Sequence, residues 1–383
     1  MKIAMIGHKR IPSREGGIEI VVEELATRLV QMGHSVTVYN RKGKNVADKD
    51  VDLENMKLKE YKGIRIVRVP TPQAKSLNAV VYSFIATIYA LFGNYDVIHY
   101  HAEGPCSMLM IPHFFGIRTI ATIHGLDWQR AKWGGFAKKF LLFGERCAAK
   151  YADEVIVLSA NVQQYFKDTY NRETIYIPNG VNKTEFREPD IISKRFGLEK
   201  GKYILYLGRL VPEKGITYLL EAYSRIDTDI KLVIAGGGSH SSEYVQQITE
   251  FAKKDKRVVL TGFVQGNLLS ELFSNCYLYV LPSDIEGMPI SLLEAMSFGL
   301  KCLASDIPEN TETCHEYAQY FKKSDVDDLT RKLEESLKTP EIYHSKDEVM
   351  DYCYTRFNWN KVTGASVRLY IDAILNVERI EDI

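Results

Sequence analysis

The chain is 383 residues long, beyond the ~250 to 300 residues at which a single hydrophobic core stops growing, so two domains are expected. With 45% hydrophobic and 26% charged residues it matches an average soluble globular chain, which excludes collagen-like, disordered and disulfide-scaffold classes. Lys plus Arg and Asp plus Glu each number 49, and the formal net charge of zero argues against a general nucleic-acid binder.

That neutrality hides a split. Residues 1–183 hold 25 Lys/Arg against 17 Asp/Glu, a net +8, and the remainder is −8. The six cysteines (Cys106, Cys147, Cys276, Cys302, Cys314, Cys353) are widely spread with no C-x-x-C pair. No export signal is recognised ahead of them, so reduced thiols in a cytoplasmic protein are expected.

In chain order, Ile3–Ile6 reads as a short buried strand ending at Gly7, followed by a loop. The next helix has apolar positions Ile18, Val21, Val22, Leu25 and Leu29 at helical spacing and ends near Gly33. Strands follow at Val36–Tyr39, Ile64–Val69, Asp96–Tyr100, Thr119–Ile123, Val155–Leu158 and Thr174–Ile177. The longest apolar stretch, Leu77–Phe92, falls short of the ~20 residues that span a bilayer, so a buried helix is expected there. After a polar linker, Asn182–Lys202, the theme restarts with strand Tyr203–Leu207, loop Gly208–Gly215, helix Ile216–Tyr223 and strand Leu232–Ala235. Val258–Leu260, Leu278–Leu281 and Lys301–Ala304 continue it. The pattern predicts an α/β protein of two doubly wound units, residues 1–183 and 184–360, facing each other across a ligand cleft. A last helix, from about Lys361, can pack back onto the first unit.

The familiar nucleotide motifs are missing. The turn Gly7–Pro12 lacks the G-x-G-x-x-G spacing, no G-x-x-x-x-G-K-[ST] occurs, and Ala235–Ser239 has no following Lys. His99, His101, Cys106 and His113 fit no standard zinc spacing. The Asp-x-Asp triplets Asp48/Asp50, Asp227/Asp229 and Asp325/Asp327 sit in polar segments. No metal and no resident cofactor are expected.

Three stretches carry chemistry. In Ser283–Met296, Pro289 suits the first position of a helix and Gly299 the position past its end. Glu294 shares a face with Ile290 and Phe298; a buried carboxylate there needs donors, which ligand hydroxyls would supply. Glu286, in the loop before the helix with Gly287 and Met288, reaches the same cleft. The second stretch is Gly208–Gly215, where Arg209 and Lys214 follow a strand and suit a diphosphate, Arg as a fork and Lys as a point charge. The third is Ser13–Gly17, where Gly16 and Gly17 let backbone N–H groups and a helix N-terminus approach an anion.

The order of these elements resembles the retaining glycosyltransferases of family 4, which have the two-Rossmann GT-B fold. The resemblance covers nearly the whole chain: Gly16-Gly17, Thr122–Gly125, Pro178–Val181, Gly208-Arg209 with Lys214, Gly262-Phe263-Val264, and Glu286 with Glu294. It implies that Arg209 and Lys214 neutralise the leaving diphosphate of a nucleotide sugar, in place of the metal other transferases use. It further implies that Glu294 holds the ribose hydroxyls, that Glu286 contacts the donor sugar, and that Phe263 and its neighbours line the base pocket. By the same resemblance His124 lies near the sugar and Asp127 orients sugar or acceptor. The segment Gly125–Trp133, with Trp128 and Arg130 beside Asp127, is similar to bacterial rhamnosyltransferases of surface polysaccharide assembly. The implied activity is transfer of a hexosyl or deoxyhexosyl unit to a glycan acceptor, in particular a lipid-linked one. An epimerase of the same fold or a non-catalytic partner subunit are the alternatives.

The excess positive charge offers one further clue. Arg130, Lys132, Lys138, Lys139, Arg146 and Lys150 alternate with Trp128, Trp133, Phe136, Phe140 and Phe143. Such a basic amphipathic segment suits an anionic membrane surface, and packing of its apolar stripe on the sheet is the competing account.

Overall fold

The computed structural model describes residues 1–42, 57–72, 75–130, 134–238, 242–338 and 344–375. Asp48, Asp50, Lys132, Trp133, Ser239 and the chain beyond residue 375 lie outside the described residues. The chain divides into two units, Met1–Asn179 joined by Trp359–Ile383, and Gly180–Asn358.

The first unit runs β1 (Lys2–Ile6), α1 (Gly17–Gln31), β2 (Ser35–Lys42), β3 (Glu60–Tyr61), β4 (Ile64–Pro70), α2 (Lys75–Leu91), β5 (Val97–His101), α3 (Glu103–Cys106) and α4 (Met110–Phe114). It continues with β6 (Arg118–Ile123), α5 (Gly135–Tyr151), β7 (Glu154–Val157), α6 (Ala160–Tyr170) and β8 (Ile175–Tyr176). The sheet order is β3-β4-β2-β1-β5-β6-β7-β8. All pairs are parallel except β3 with β4. Strands covered on both faces need apolar residues at every position, which is why β1 is an unbroken run with Ile3, Ala4, Met5 and Ile6 fully buried. Helix α1 buries Val21, Val22, Leu25 and Leu29, as its spacing predicts.

Strand order reverses between β1 and β5, and ligands of doubly wound sheets bind beyond the carboxyl ends of strands at such a point. The loops after β1, β5 and β6 therefore carry this unit's candidate residues. The expected buried helix at Leu77–Phe92 is corrected in one respect. Helix α2 buries Tyr82, Ala86 and Ala90 but leaves Phe84 and Tyr89 exposed, so only one face is in the core, and Phe92, just past its end, is exposed as well. Among the described residues no helix is long and apolar enough to cross a membrane.

The second unit runs α7 (Ile191–Phe196), β9 (Tyr203–Leu207), α8 (Ile216–Ser224), β10 (Lys231–Ala235), α9 (Ser242–Lys254), β11 (Val258–Gly262) and α10 (Gly266–Asn275). Next come β12 (Leu278–Leu281), α11 (Ile290–Ser297), β13 (Cys302–Ser305), α12 (Pro308–Cys314), β14 (Gln319–Phe321), α13 (Val326–Lys338) and α14 (Lys346–Arg356). Its sheet is β11-β10-β9-β12-β13-β14, parallel throughout, with the reversal between β9 and β12. The unit closes on itself where the Val181 N–H donates to the Phe357 carbonyl at 2.7 Å. The final helix, α15 (Trp359–Leu375), returns to the first unit, where Asn360 accepts from Arg28 Nε at 3.2 Å and Tyr370 is fully buried. The six cysteines are free and buried.

Candidate functional site

In the second unit the reversal of strand order places the loops after β9 and β12 side by side. Gly215, with φ +63°, joins the Arg209–Lys214 loop to α8, and a Cβ there would meet the Pro282 carbonyl oxygen at 2.0 Å. Only glycine lets the two loops approach so closely, and the Asp284 N–H donating to the Glu213 carbonyl at 2.9 Å fixes them together. The consequence is an ion pair between Lys214 Nζ and Glu286 Oε1, largely buried on both sides. The residues assigned from sequence to diphosphate and to sugar thus hold each other.

Arg209 stands beside them with its carbonyl fixed by the Tyr206 hydroxyl at 3.0 Å. Its guanidinium has no carboxylate partner among the described residues. Pro289, expected as the first residue of helix α11, is instead its extended N-cap with Ile290 first, and Gly299 lies just past the helix end, as expected, with φ +65°. Ser291 in its first turn hydrogen-bonds Tyr279 at 2.8 Å, pinning the helix over β12. Glu294, expected to be buried, is only half-buried, so solvent shares the solvation of its carboxylate. Gly287, Met288 and Pro289, the last residues of the loop before α11, are buried. At the end of β11, Gly262 takes φ +72°, Val264 turns into the core and Phe263 is exposed, presenting its ring beyond the strand end.

In the first unit, Gly16 caps α1 and Glu19 in the first turn accepts the Lys9 N–H at 2.8 Å, folding the loop after β1 onto the helix start. A Cβ at Gly16 would meet Glu19 Oε2 at 2.4 Å. Gly17 is the first helical residue, leaving the amides of this turn bare of side chain. Beside this turn lies a stack of histidines at the carboxyl ends of β1, β5 and β6. His8 Nε2 donates to Asn40 Oδ1 at 2.9 Å. His99 uses both nitrogens, toward the Tyr370 hydroxyl at 2.8 Å and Thr122 Oγ1 at 2.7 Å. His101 Nδ1 and His124 Nε2 share a hydrogen bond of 3.1 Å. Burial pushes His8 and His124 down to about 4 and His99 to about 3, and lowers His101 as well, so all four imidazoles are neutral at physiological pH.

After β6 the single turn Asp127–Gln129 carries the other sequence candidates. Asp127 pairs with Arg130 at 2.8 Å. The Trp128 indole N–H is committed to Glu145 at 3.1 Å, with Lys138 over its ring, so it is a root of the turn as well as a surface residue. The structure therefore brings the sequence candidates together in two sets: Arg209, Lys214 and Glu286 with the start of α11, and Gly16, Gly17, His124, Asp127 and Arg130. The sequence reading missed Glu19, Glu103 and Glu145. Glu103 follows β5 at the reversal point, a positional signal the sequence did carry.

Two family models divide the chain between them. One, described as Glycosyltransferase Family 4, matches residues 15–185, and the other, Glycosyl transferases group 1, matches residues 189–349. An Escherichia coli enzyme named UDP-Gal:alpha-D-GlcNAc-diphosphoundecaprenol alpha-1,3-galactosyltransferase is 26% identical over 74% of this chain and 76% of its own. Among solved structures, sucrose-phosphate synthase from Thermosynechococcus elongatus superposes with a TM-score of 0.83 at 21% identity, over 98% of this chain and 100% of its own. Anabaena HepE, solved with UDP and glucose, gives 0.78 at 17% identity, over 97% and 100%. Two Rossmann-like units, their ordered motifs and these matches place the chain in the family 4 glycosyltransferases of GT-B fold.

Proposed function

We propose that the protein transfers a hexosyl or deoxyhexosyl unit, rhamnosyl among them, from a uridine diphosphate sugar to a lipid-linked glycan acceptor, with retention at the anomeric carbon and without a metal ion. The observation that carries this reading is the cation pair at the strand reversal of the second unit. Arg209, unpaired by carboxylate among the described residues, and Lys214, bridged to Glu286, place two cations and one carboxylate, a net positive charge, at one strand edge. Departure of the nucleotide leaves negative charge on the diphosphate and positive charge on the sugar ring. Donors fixed in advance stabilise that state without reorganising when it forms. Arg209 would chelate phosphate oxygens, and Lys214 would share its charge between phosphate and Glu286, freeing that carboxylate for the sugar. Glu294 would take the ribose hydroxyls, and Gly262, Phe263 and Val264 the base. Gly287, Met288 and Pro289 would shape the loop over the sugar.

The first unit would receive the acceptor. A neutral His124, held by His101, can accept a proton or a hydroxyl hydrogen bond at the sugar, and Asp127 with Trp128 and Arg130 would orient the acceptor. Support for a lipid diphosphate comes from the acceptor named for the E. coli relative, and support for uridine from the UDP in the HepE structure. A cytoplasmic enzyme resting on an anionic leaflet fits the outer face of α5. There Phe136, Lys139, Phe143, Arg146 and Lys150 are all exposed at helical spacing, while Leu141, Cys147 and Ala148 pack inward.

A thermal-shift panel of nucleotides and nucleotide sugars tests the donor half. A ligand bound only by the native state raises Tm, by about 2.7 kcal/mol of added stability at one hundred times its Kd. UDP-sugars should stabilise the protein without added metal and with EDTA present. A panel in which only guanosine or thymidine nucleotides act, or in which EDTA abolishes the shift, would sink that half of the reading.

A further inference from the structure

Beneath the Asp127–Gln129 turn lie two carboxyl groups with no part in the chemistry above. Glu103 opens α3 directly after β5, Glu145 stands in the middle of α5, and both are fully buried. They meet because α5 touches α3 at Gly144, where a Cβ would lie 1.9 Å from the Glu103 carbonyl oxygen. Glu145 receives three donors. Its Oε1 accepts the Tyr165 hydroxyl at 2.7 Å and the Tyr170 hydroxyl at 2.5 Å, and its Oε2 accepts the Trp128 indole N–H at 3.1 Å. Glu103 Oε1 accepts the backbone N–H of Asp127 at 3.2 Å. Its Oε2 has no donor, yet the Glu145 carboxyl group is within hydrogen-bonding reach.

Two buried carboxylates facing each other without a donor repel, and one proton between them removes the conflict. The donor count says which residue keeps it: three hydrogen bonds stabilise Glu145 as the anion, while the bare oxygen of Glu103 is where a proton would serve as donor. We propose that Glu103, protonated, and Glu145, ionised, are positioning residues that share one proton and clamp the acceptor turn, Glu103 by the Asp127 N–H and Glu145 by the Trp128 indole. Burial, with the negative charges of Asp127 and Glu145, raises the Glu103 carboxyl far above the usual carboxylate range, in the direction the geometry requires. Two consecutive residues of the turn are thereby tied to α3 and to α5, while the Asp127 side chain remains on Arg130. A polar network of this kind selects one arrangement where apolar packing tolerates several. The proposal rests on the reading of Asp127 as an acceptor residue.

The experiment joins infrared spectroscopy with kinetics. At neutral pH the wild type should show the C=O stretch of a protonated carboxylic acid, and Glu103→Gln should remove it. With a UDP-hexose donor and a diphosphoundecaprenol-linked glycan as acceptor probe, Glu103→Ala and Glu145→Ala should each raise acceptor KM about tenfold or more and leave donor KM unchanged. Glu103→Gln should rescue, because its amide donates where the carboxyl O–H did, whereas Glu145→Gln should not, because an NH2 then faces the tyrosine and indole donors. Absence of the infrared band, its survival in Glu103→Gln, or equal rescue by both glutamines would overturn the pair. Asp127→Asn separates the underlying reading: an unchanged acceptor KM there refutes the acceptor role of Asp127, while the band still decides the pair.

Discussion

The two units share a fold and use it with opposite electrostatics. The first, with 27 Lys/Arg against 21 Asp/Glu, is net +6, and the second, with 22 against 28, is net −6. At their ligand-bearing edges the signs reverse. The positive unit lines its strand ends with buried neutral imidazoles and internally paired carboxyls, whereas the negative unit holds out Arg209 and the Lys214–Glu286 pair. Summed charge is thus a poor guide to a site, because the charge that meets a ligand is set by a few residues at the strand reversal. The first unit's surplus sits elsewhere, on the outer face of α5, where exposed cations face solvent.

The sharpest way to break this contrast is to remove the open cation. Arg209→Ala should lower kcat by about 10²- to 10³-fold, the usual loss for one preorganised donor at a developing negative charge. Its Tm should hold, since the guanidinium makes no ion pair among the described residues. Lys214→Ala should lose a similar factor and also stability, roughly 3 kcal/mol, because it strands the buried Glu286 carboxylate. Activity assays with paired melting curves check both. Equal destabilisation by the two variants would erase the distinction between an open and a bridged cation.

Acid should separate the units next. A histidine whose folded pKa is depressed stabilises the fold above its unfolded pKa of 6.5, and that contribution disappears as pH falls toward the folded value. His8 (about 4) and His99 (about 3) set the window from about pH 6.5 down to 3–4, and at 1.36 kcal/mol per pKa unit each is worth on the order of a few kcal/mol. In the second unit Asp255 and Asp328, partnered by Arg257 and Arg331, have carboxyls lowered from 3.8, so their contribution is lost only below that window. Protonated Glu103, whose raised pKa makes it more stabilising as pH falls, offsets only part of the loss from the four lowered histidines. Calorimetry at pH 7 and pH 5 should therefore show the first unit melting earlier at the lower pH while the second holds. Two transitions moving together would show that the histidine stack does not set the acid response.

Much of this was legible in the sequence because the strands are unbroken apolar runs and the chemistry follows them. Gly7, Gly208 and the Ser283 loop could be placed at strand ends by counting, and Arg209, Lys214 and Glu286 came with them. What the sequence hid were long-range satisfactions. Nothing local to Trp128 reveals that its N–H points to Glu145, seventeen residues on, or that His99 takes a hydroxyl from Tyr370, 271 residues away. Helical spacing marked Glu294 as buried, but spacing gives a face and not a depth, and the residue is only half-buried. Strand β14 escaped notice because three residues are too few to form an apolar run. Gly215 illustrates the remaining ambiguity: a loop glycine in sequence, a contact point against Pro282 in the structure. Gly215→Ala should therefore cost about 1–2 kcal/mol from the left-handed backbone alone, and more from the contact, with the loss confined to the second unit's melting transition.

The smallest expected effect concerns the first unit's surplus charge. Helix α5 turns Leu141, Gly144, Cys147 and Ala148 inward and leaves Phe136 at 84% exposure, Phe143 at 48%, and Lys139, Arg146 and Lys150 outward. The inward stripe packs on the unit, as the competing account expects, and the outward stripe of rings and cations is the surface on which the membrane account is tested. Each basic residue near an anionic surface contributes about 1 kcal/mol, so Lys139→Glu with Arg146→Glu should weaken recovery on anionic vesicles by roughly tenfold or more. Phe136→Ser should weaken it independently of salt, because ring insertion is not screened. Neither change touches the strand ends, so Tm and the nucleotide-induced shift should stay at wild-type values. Flotation with neutral and anionic vesicles decides the matter: equal recovery on both, or none on either, would confine the +6 of the first unit to solubility and leave the acceptor edge as its only ligand surface.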